Sequence, residues 1–304
     1  MSSPLTLVIG ATGALGAPVT EALMAARVPL RLLHRQPDRL ATLASRGAEV
    51  VPGDLIDAAS LRAACAGVER VFVAAHAITG RGRWCSEAVD DAGHRALIEA
   101  ARAAGVRRFV YTSAYGAGPD HPIDFFRTKH RIEQLLRGSG LDAVVVRPTA
   151  FMEQHVHQFN GAAVLAKGKA QLIGPATKPR NFVRAADLAP LVLRALLEDP
   201  PPFRELDIGG HDHASNSEVA ALYAKEAGLP PKASHLPLGV ARVVAAVARA
   251  FHPGVARILS LMTLPDEAVS ERFDGAAQLE RRFGIRLTRL QEFVREQVRA
   301  KALS

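Results

Sequence analysis

A chain of 304 residues, 48% of them hydrophobic, is long enough to bury one large core or a domain with a smaller lobe. Lys and Arg outnumber Asp and Glu by 38 to 30, a net charge of +8 that suits a ligand carrying several phosphates. The basic residues are spread along the chain and only 5% of residues are aromatic, which argues against a nucleic-acid surface built on basic runs and stacking rings.

The N-terminal run Leu5-Thr6-Leu7-Val8-Ile9 is too short for a signal peptide and leads straight into a glycine turn, so it is expected to be the first strand. Further apolar runs at 30–33, 49–51, 70–74, 108–111 and 143–146 predict strands. Between them, Ala-rich patterns at 14–26, 37–46, 58–65, 86–104 and 124–137 predict helices, most ending near a breaker such as Gly47, Gly67, Gly105 or Gly138. This βα alternation predicts an α/β fold with a doubly wound parallel sheet of the Rossmann type, strand order 3-2-1-4-5-6.

Beyond Pro148 the regularity weakens, and helices are expected again at 218–228 and 290–301. The division expected is a sheet domain over 1–150 and a smaller C-terminal lobe over 151–304, interwoven into one structural unit. The long apolar stretch 239–264 is broken by Arg242, Arg249, Pro253 and Arg257, which argues against a membrane span. A packed helix pair around Pro253 is expected there, with an amphipathic lid or a membrane-surface helix as alternatives. Cys65 and Cys85 have neither metal-like nor redox-pair spacing, which fits reduced thiols in a cytoplasmic protein.

A strand running into Gly10-Ala11-Thr12-Gly13-Ala14-Leu15-Gly16 and then a helix is a phosphate-binding arrangement. The glycines permit a tight turn and close backbone approach, and the helix start turns its free N–H groups and dipole toward a pyrophosphate. Gly10, Thr12, Gly13, Ala14, Leu15 and Gly16 are the candidate contacts. The second strand ends in His34-Arg35, with no acid before Asp38. A carboxylate there would hold ribose hydroxyls, whereas a guanidinium grips a 2′-phosphate, so NADP(H) is expected over NAD(H). Asp54 and Leu55, after the third strand, are placed to pass the adenine, although Asp54 also suits a helix cap. Ala74, Ala75 and His76 end the fourth strand with small residues that let the backbone approach the cofactor.

With these segments in place the chain resembles the NmrA-like NAD(P)-binding group of atypical short-chain dehydrogenase/reductases over nearly its whole length. The resemblance rests on the glycine turn, Gly53-Asp54-Leu55, the run from Ala100 to Ser113, and Lys129 with Gly140-Leu141-Asp142. It continues in Arg147-Pro148-Thr149-Ala150-Phe151-Met152-Glu153 and in Asn181-Phe182-Val183 with Asp187-Leu188-Ala189. It implies NADPH-dependent reduction of quinones or enones, or dinucleotide sensing without turnover. In the group's usual site a Tyr-x-x-x-Lys pair and a hydroxyl assist proton transfer. Lys129 matches the lysine, but Phe125 stands where the tyrosine belongs, and the key serine aligns with Ala114 or Ser113. A phenyl ring cannot exchange a proton. Lys129 and Ser113 are therefore the candidate catalytic residues, in cofactor binding and orientation, and Pro148 joins the cofactor contacts. Tyr115 is a candidate substitute for the missing phenol.

Trp84, Phe151, Met152 and His155, with Tyr115, are candidate substrate-pocket residues, and core packing is the competing role for Phe151 and Met152. His155-Val156-His157 and His211-Asp212-His213 lack the companion ligands of a metal site, so no metal is expected. The expected function is NADPH-dependent reduction of a small apolar quinone, enone or carbonyl by a cytoplasmic monomer or homodimer. The alternative is a non-catalytic NADP(H)-sensing regulatory protein.

Overall fold

The four residues Thr6–Ile9 are all buried, so successive side chains pointing to opposite sides of the strand meet protein on both. The strands Arg70–Val73 and Arg108–Thr112 show the same unbroken burial. A strand covered on both faces is what a parallel sheet between two helical layers requires. The computed structural model describes residues 4–264 and 272–303, which divide into two compact units.

The first unit takes the chain to Arg147 and regains it over Leu188–Leu206. Its elements are β1 (Thr6–Ile9), α1 (Gly16–Ala25), β2 (Leu30–His34), α2 (Ala41–Ser45), β3 (Glu49–Pro52), α3 (Ala58–Cys65), β4 (Arg70–Val73), α4 (His94–Ala103), β5 (Arg108–Thr112), α5 (Asp124–Arg137) and β6 (Asp142–Pro148). The sheet order is Glu205–Ile208, β6, β5, β4, β1, β2, β3. Thr6 pairs with Leu30 on one side and Arg70 on the other, both in parallel register. The expected order 3-2-1-4-5-6 is found, with Glu205–Ile208 added beyond β6.

The late return is fastened by Arg108, whose buried guanidinium donates to the carbonyls of Ala195 (2.5 Å) and Glu198 (3.1 Å) and to Asp142 (2.6 Å). Two predicted helices differ in detail. The segment 37–46 opens as a 3₁₀ turn, Pro37–Leu40, before α2, because proline fixes a tight first turn. The segment 86–104 opens as a π-helical stretch, Glu87–Gly93, before α4. Gly93 faces the Leu55 carbonyl there so closely that a Cβ would lie 2.8 Å from it.

The second unit comprises Pro148–Asp187 and the chain from Asp207 onward. Ala150–Phe151, Arg180–Val183 and His213–Ala214 form one small sheet, and Ala170–Ile173 pairs with Ala233–Leu236 in another. Met152, Val156, Phe182, Tyr223 and Phe293 fill its core. The expected helix at 218–228 begins earlier, at Asn216, because Ser215 and Glu218 close a capping box. Leu290–Ala302 forms the helix expected at the C-terminal end. Around Pro253 two helices, Leu238–Phe251 and Pro253–Met262, pack on one another. The expected packed pair around Pro253 is thus present, and it leaves Val243, Val247 and Phe251 exposed. Among the described residues no helix is long and apolar enough to cross a membrane. Cys65 and Cys85 are free thiols.

Candidate functional site

The glycine turn is folded so tightly that side chains are excluded from it. Gly10 has φ +93°, and a Cβ on it would come within 2.8 Å of the Ala75 amide nitrogen. A Cβ on Gly16 would sit 1.8 Å from the Gly10 carbonyl oxygen. The turn closes through the Gly13 N–H, which donates to Gly10 O at 2.9 Å. Gly10 thereby lies against the end of β4, where Ala74 and Ala75 are half-buried. Helix α1 starts here with Leu15 at its N-cap, no side-chain cap and no acid in its first turn. The Ala17 N–H turns back to the Gly13 carbonyl at 2.9 Å and Pro18 has none to give, so the N–H groups of Leu15 and Gly16 are those left for an external acceptor, with no carboxylate competing for them. Thr12 and Gly13 are exposed, Ala14 is half-buried, and Leu15 is a core residue. A backbone cradle of this kind fits the pyrophosphate of a dinucleotide.

At the end of β2, His34 is held by its own loop, its Nδ1 accepting from the Gln36 N–H at 3.0 Å. Arg35 is exposed and lies over the Trp84 ring, 5.3 Å from its centroid. Asp54, after β3, takes the Trp84 indole N–H at 2.7 Å and the Ile56 N–H at 3.4 Å. It does not cap α3, which Asp57 caps instead. Leu55 is buried in the core. The structure thus gathers Arg35, Asp54 and Trp84, residues far apart in sequence, at one corner, and Trp84 joins the residues expected at the adenosine end.

Lys129 and Ser113 share a second cluster. Lys129, on α5, is 2% exposed and donates to the Thr112 carbonyl at 2.9 Å. Its ammonium lies over the rings of Tyr111 (4.8 Å) and Phe125 (5.4 Å). Burial pulls its pKa down to about 8, against the opposing pull of Asp90 and Glu133. Ser113 donates to Glu133 Oε1 at 2.5 Å, and Arg147 grips that carboxylate at 2.9 and 2.6 Å. Asp90 is fully buried and accepts from the Ala77 N–H (2.9 Å) and the Ser86 hydroxyl (2.6 Å). His76 lies edge-on to Phe125 at 5.8 Å. Its pKa is lowered by burial and by the Lys129 charge, with Asp90 opposing.

Glu133, Asp90 and Tyr111 belong to this cluster and were not among the expected site residues. Glu133 stands one helical turn after Lys129, a spacing that puts both on one face of α5. Nothing in the local pattern distinguishes Asp90 from its neighbours Glu87 and Asp91. Tyr115 is half-buried in the loop after β5.

The remaining expected residues lie in the second unit. Pro148 is buried at the end of β6, Phe151 is half-buried, and Met152 is fully buried in the core, which is the packing role. His155 is half-buried, edge-on to Phe159 at 5.4 Å. His157 pairs with the Tyr223 hydroxyl at 3.1 Å, His211 with Glu280 at 3.0 Å, and His213 accepts from the Phe273 N–H at 3.1 Å. Among the described residues no group of three or more His, Cys, Asp or Glu is arranged to hold a metal ion.

Residues 10–199 match the family described as NAD(P)H-binding. The chain belongs to this family, among the atypical short-chain dehydrogenase/reductases. The match runs from the first glycine of the turn, through Lys129, to the segment returning after β6. The chain is 30% identical over 227 residues to an NAD(P)H azoreductase of Xenophilus azovorans, covering 74% of this chain and 75% of the relative. It is 31% identical to the (4-alkanoyl-5-oxo-2,5-dihydrofuran-3-yl)methyl phosphate reductase of Streptomyces griseus, covering 78% and 79%. Two further relatives are spanned over only 61% and 51% of their own length. In fold the chain is similar to an NADPH-dependent quinone oxidoreductase of Escherichia coli solved with NADPH. That match has a TM-score of 0.74 at 24% identity and covers 96% of this chain and 99% of the other. NAD(P)H binding and membership of a reductase family follow for this chain.

Proposed function

We propose that the chain is an NADPH-dependent reductase that delivers a hydride to a small apolar acceptor, a quinone, enone, azo compound or related carbonyl. The observation that carries this reading is Phe125 packed beneath the Lys129 ammonium, at the position where the family's usual site has tyrosine. With no phenol there, an acceptor whose reduced form takes its proton from water is favoured over a simple ketone.

Bound NADPH would supply the hydride. Gly10, Gly13 and Gly16 let a pyrophosphate approach the backbone, and Arg35 offers the 2′-phosphate a guanidinium where NAD sites place an acid. Lys129, still largely protonated at neutral pH, would hold the nicotinamide ribose. Ser113 is tied to Glu133 and would orient β5 and α5 around that lysine. The tie of Ser113 also favours the second reading, a dinucleotide sensor without turnover, because it leaves no serine hydroxyl to activate a carbonyl.

The test is NADPH consumption, followed at the nicotinamide absorbance band, with a panel of quinones, enones and azo compounds. Protein-dependent turnover, faster with NADPH than NADH and reduced in Lys129→Ala, is expected. Binding of NADPH without consumption across the panel would move the assignment to the sensor.

A further inference from the structure

Arg35 and Arg83 converge on one aromatic ring. Their guanidinium carbons lie 5.3 and 5.0 Å from the centroid of Trp84. The ring is pinned, since its indole N–H donates to Asp54 Oδ2 at 2.7 Å. Its backbone is pinned as well. The Trp84 N–H donates to Arg81 O at 3.2 Å, and Gly80 passes so close that a Cβ would lie 2.0 Å from the Trp84 carbonyl oxygen. Among the described residues neither Arg35 nor Arg83 forms an ion pair with a carboxylate. Two like charges gathered on a fixed ring repel each other; the Asp54 carboxylate on the indole N–H balances at most one of them, and a dianion placed between the guanidiniums relieves the rest.

We infer that Arg83 is a second guanidinium for the 2′-phosphate of NADPH, and that Trp84 is the platform holding both arginines at the adenosine end. The inference rests on the NADPH reading above. A phosphate monoester carries about −1.5 to −2 charges near neutral pH, more than one guanidinium balances. Arg35 comes from the end of β2, whereas Arg83 comes from the loop after β4, so the two reach the phosphate from different elements. Both are exposed, so a planar fork on each is free to turn toward phosphate oxygens.

Trp84 is the single tryptophan of the chain, so its emission reports on this corner alone. The experiment titrates the full chain with adenosine 2′,5′-bisphosphate and with adenosine 5′-monophosphate, reading Trp84 emission and, in parallel, heat of binding. The bisphosphate is expected to change the emission saturably and to bind at least about tenfold tighter than the monophosphate. Arg83→Ala, at an exposed position, should lower bisphosphate affinity roughly tenfold and leave the monophosphate within about twofold. Arg83→Lys should recover part of the loss, because the charge is kept and the fork is not.

If Arg35→Ala weakens the bisphosphate and Arg83→Ala does not, the Arg83 role is overturned while the NADPH reading stands. Bisphosphate and monophosphate binding equally to the unaltered chain would overturn both. Bisphosphate binding seen by heat without any change in emission would overturn the platform role of Trp84.

Discussion

The Ser113 hydroxyl and the Glu133 carboxylate meet at 2.5 Å inside the first unit, with Glu133 only 1% exposed. The same carboxylate takes two bonds from Arg147, whose guanidinium also reaches Glu205 at 2.7 Å. A serine at the end of β5, a glutamate on α5, an arginine on β6 and the edge strand are thereby joined through one buried acid.

Ser113→Ala removes one bond to a buried charge and leaves the arginine in place. A loss of about 1.5–3 kcal/mol is expected from urea unfolding. Glu133→Ala should cost more, since it removes the acceptor of the Ser113 hydroxyl and two of the bonds from Arg147, which keeps Glu205. A Ser113→Ala variant of unchanged stability that fails to turn over would instead place the hydroxyl on the substrate.

Lys129 gives a signed pH dependence. Its pKa is depressed by burial from 10.5 to about 8, so between those values the unfolded chain binds more protons than the folded one. Stability therefore rises with pH across that window and the contribution is flat below about 8. Lys129→Met keeps much of the shape and removes the titration. Below about pH 8 the buried charge costs the lysine form stability that the methionine form does not lose, so from pH 7 to 10 the unfolding free energy of the lysine form should rise relative to that of Lys129→Met. A constant difference would show that Lys129 titrates as an ordinary surface lysine does.

Gly16→Ala puts a methyl 1.8 Å from the Gly10 carbonyl oxygen, so the turn must open. A stability loss of roughly 1–3 kcal/mol is expected. Dinucleotide affinity, measured by calorimetry, should fall more than tenfold, about 1.4 kcal/mol or more. Affinity retained in the variant would mean that the ligand is held elsewhere.

Tyr111 is fully buried, and its hydroxyl has no hydrogen-bond partner among the described residues. Burial and the nearby Asp90, Glu133 and Asp91 hold its pKa well above the usual phenol value, so it stays protonated. Tyr111→Phe keeps the ring beneath Lys129 and removes an unsatisfied polar atom. Unchanged or raised stability, by up to about 1 kcal/mol, is expected in urea. A clear loss would show that the hydroxyl has a partner in solution.

The strand order and the glycine turn were legible in the sequence because both rest on local rules. Short runs buried on both faces predict a parallel sheet, and a turn without room for Cβ atoms needs Gly10 and Gly16. Lys129 was reached through its place in the family pattern. The network around it was not, because Ser113, Glu133, Arg147 and Glu205 come from four elements that only the tertiary fold brings together. The meeting of Trp84 with Asp54, thirty residues apart and both in loops, likewise left no periodic trace. The exposed valines of Leu238–Phe251 show the converse, an apolar helix whose pattern does not reveal which face is left open.

The return of Leu188–Leu206 to the first unit bears on how the protein is made. A nascent chain that has emerged only as far as β6 has Arg108 beneath a missing lid and lacks the Arg204 carbonyl that receives the Val145 N–H at 2.8 Å. Until the ribosome has released Glu205–Ile208, β6 presents an open edge to any other extended chain nearby. The dinucleotide-binding half is encoded first but finished late, and fragments ending near β6 should aggregate where the whole chain does not.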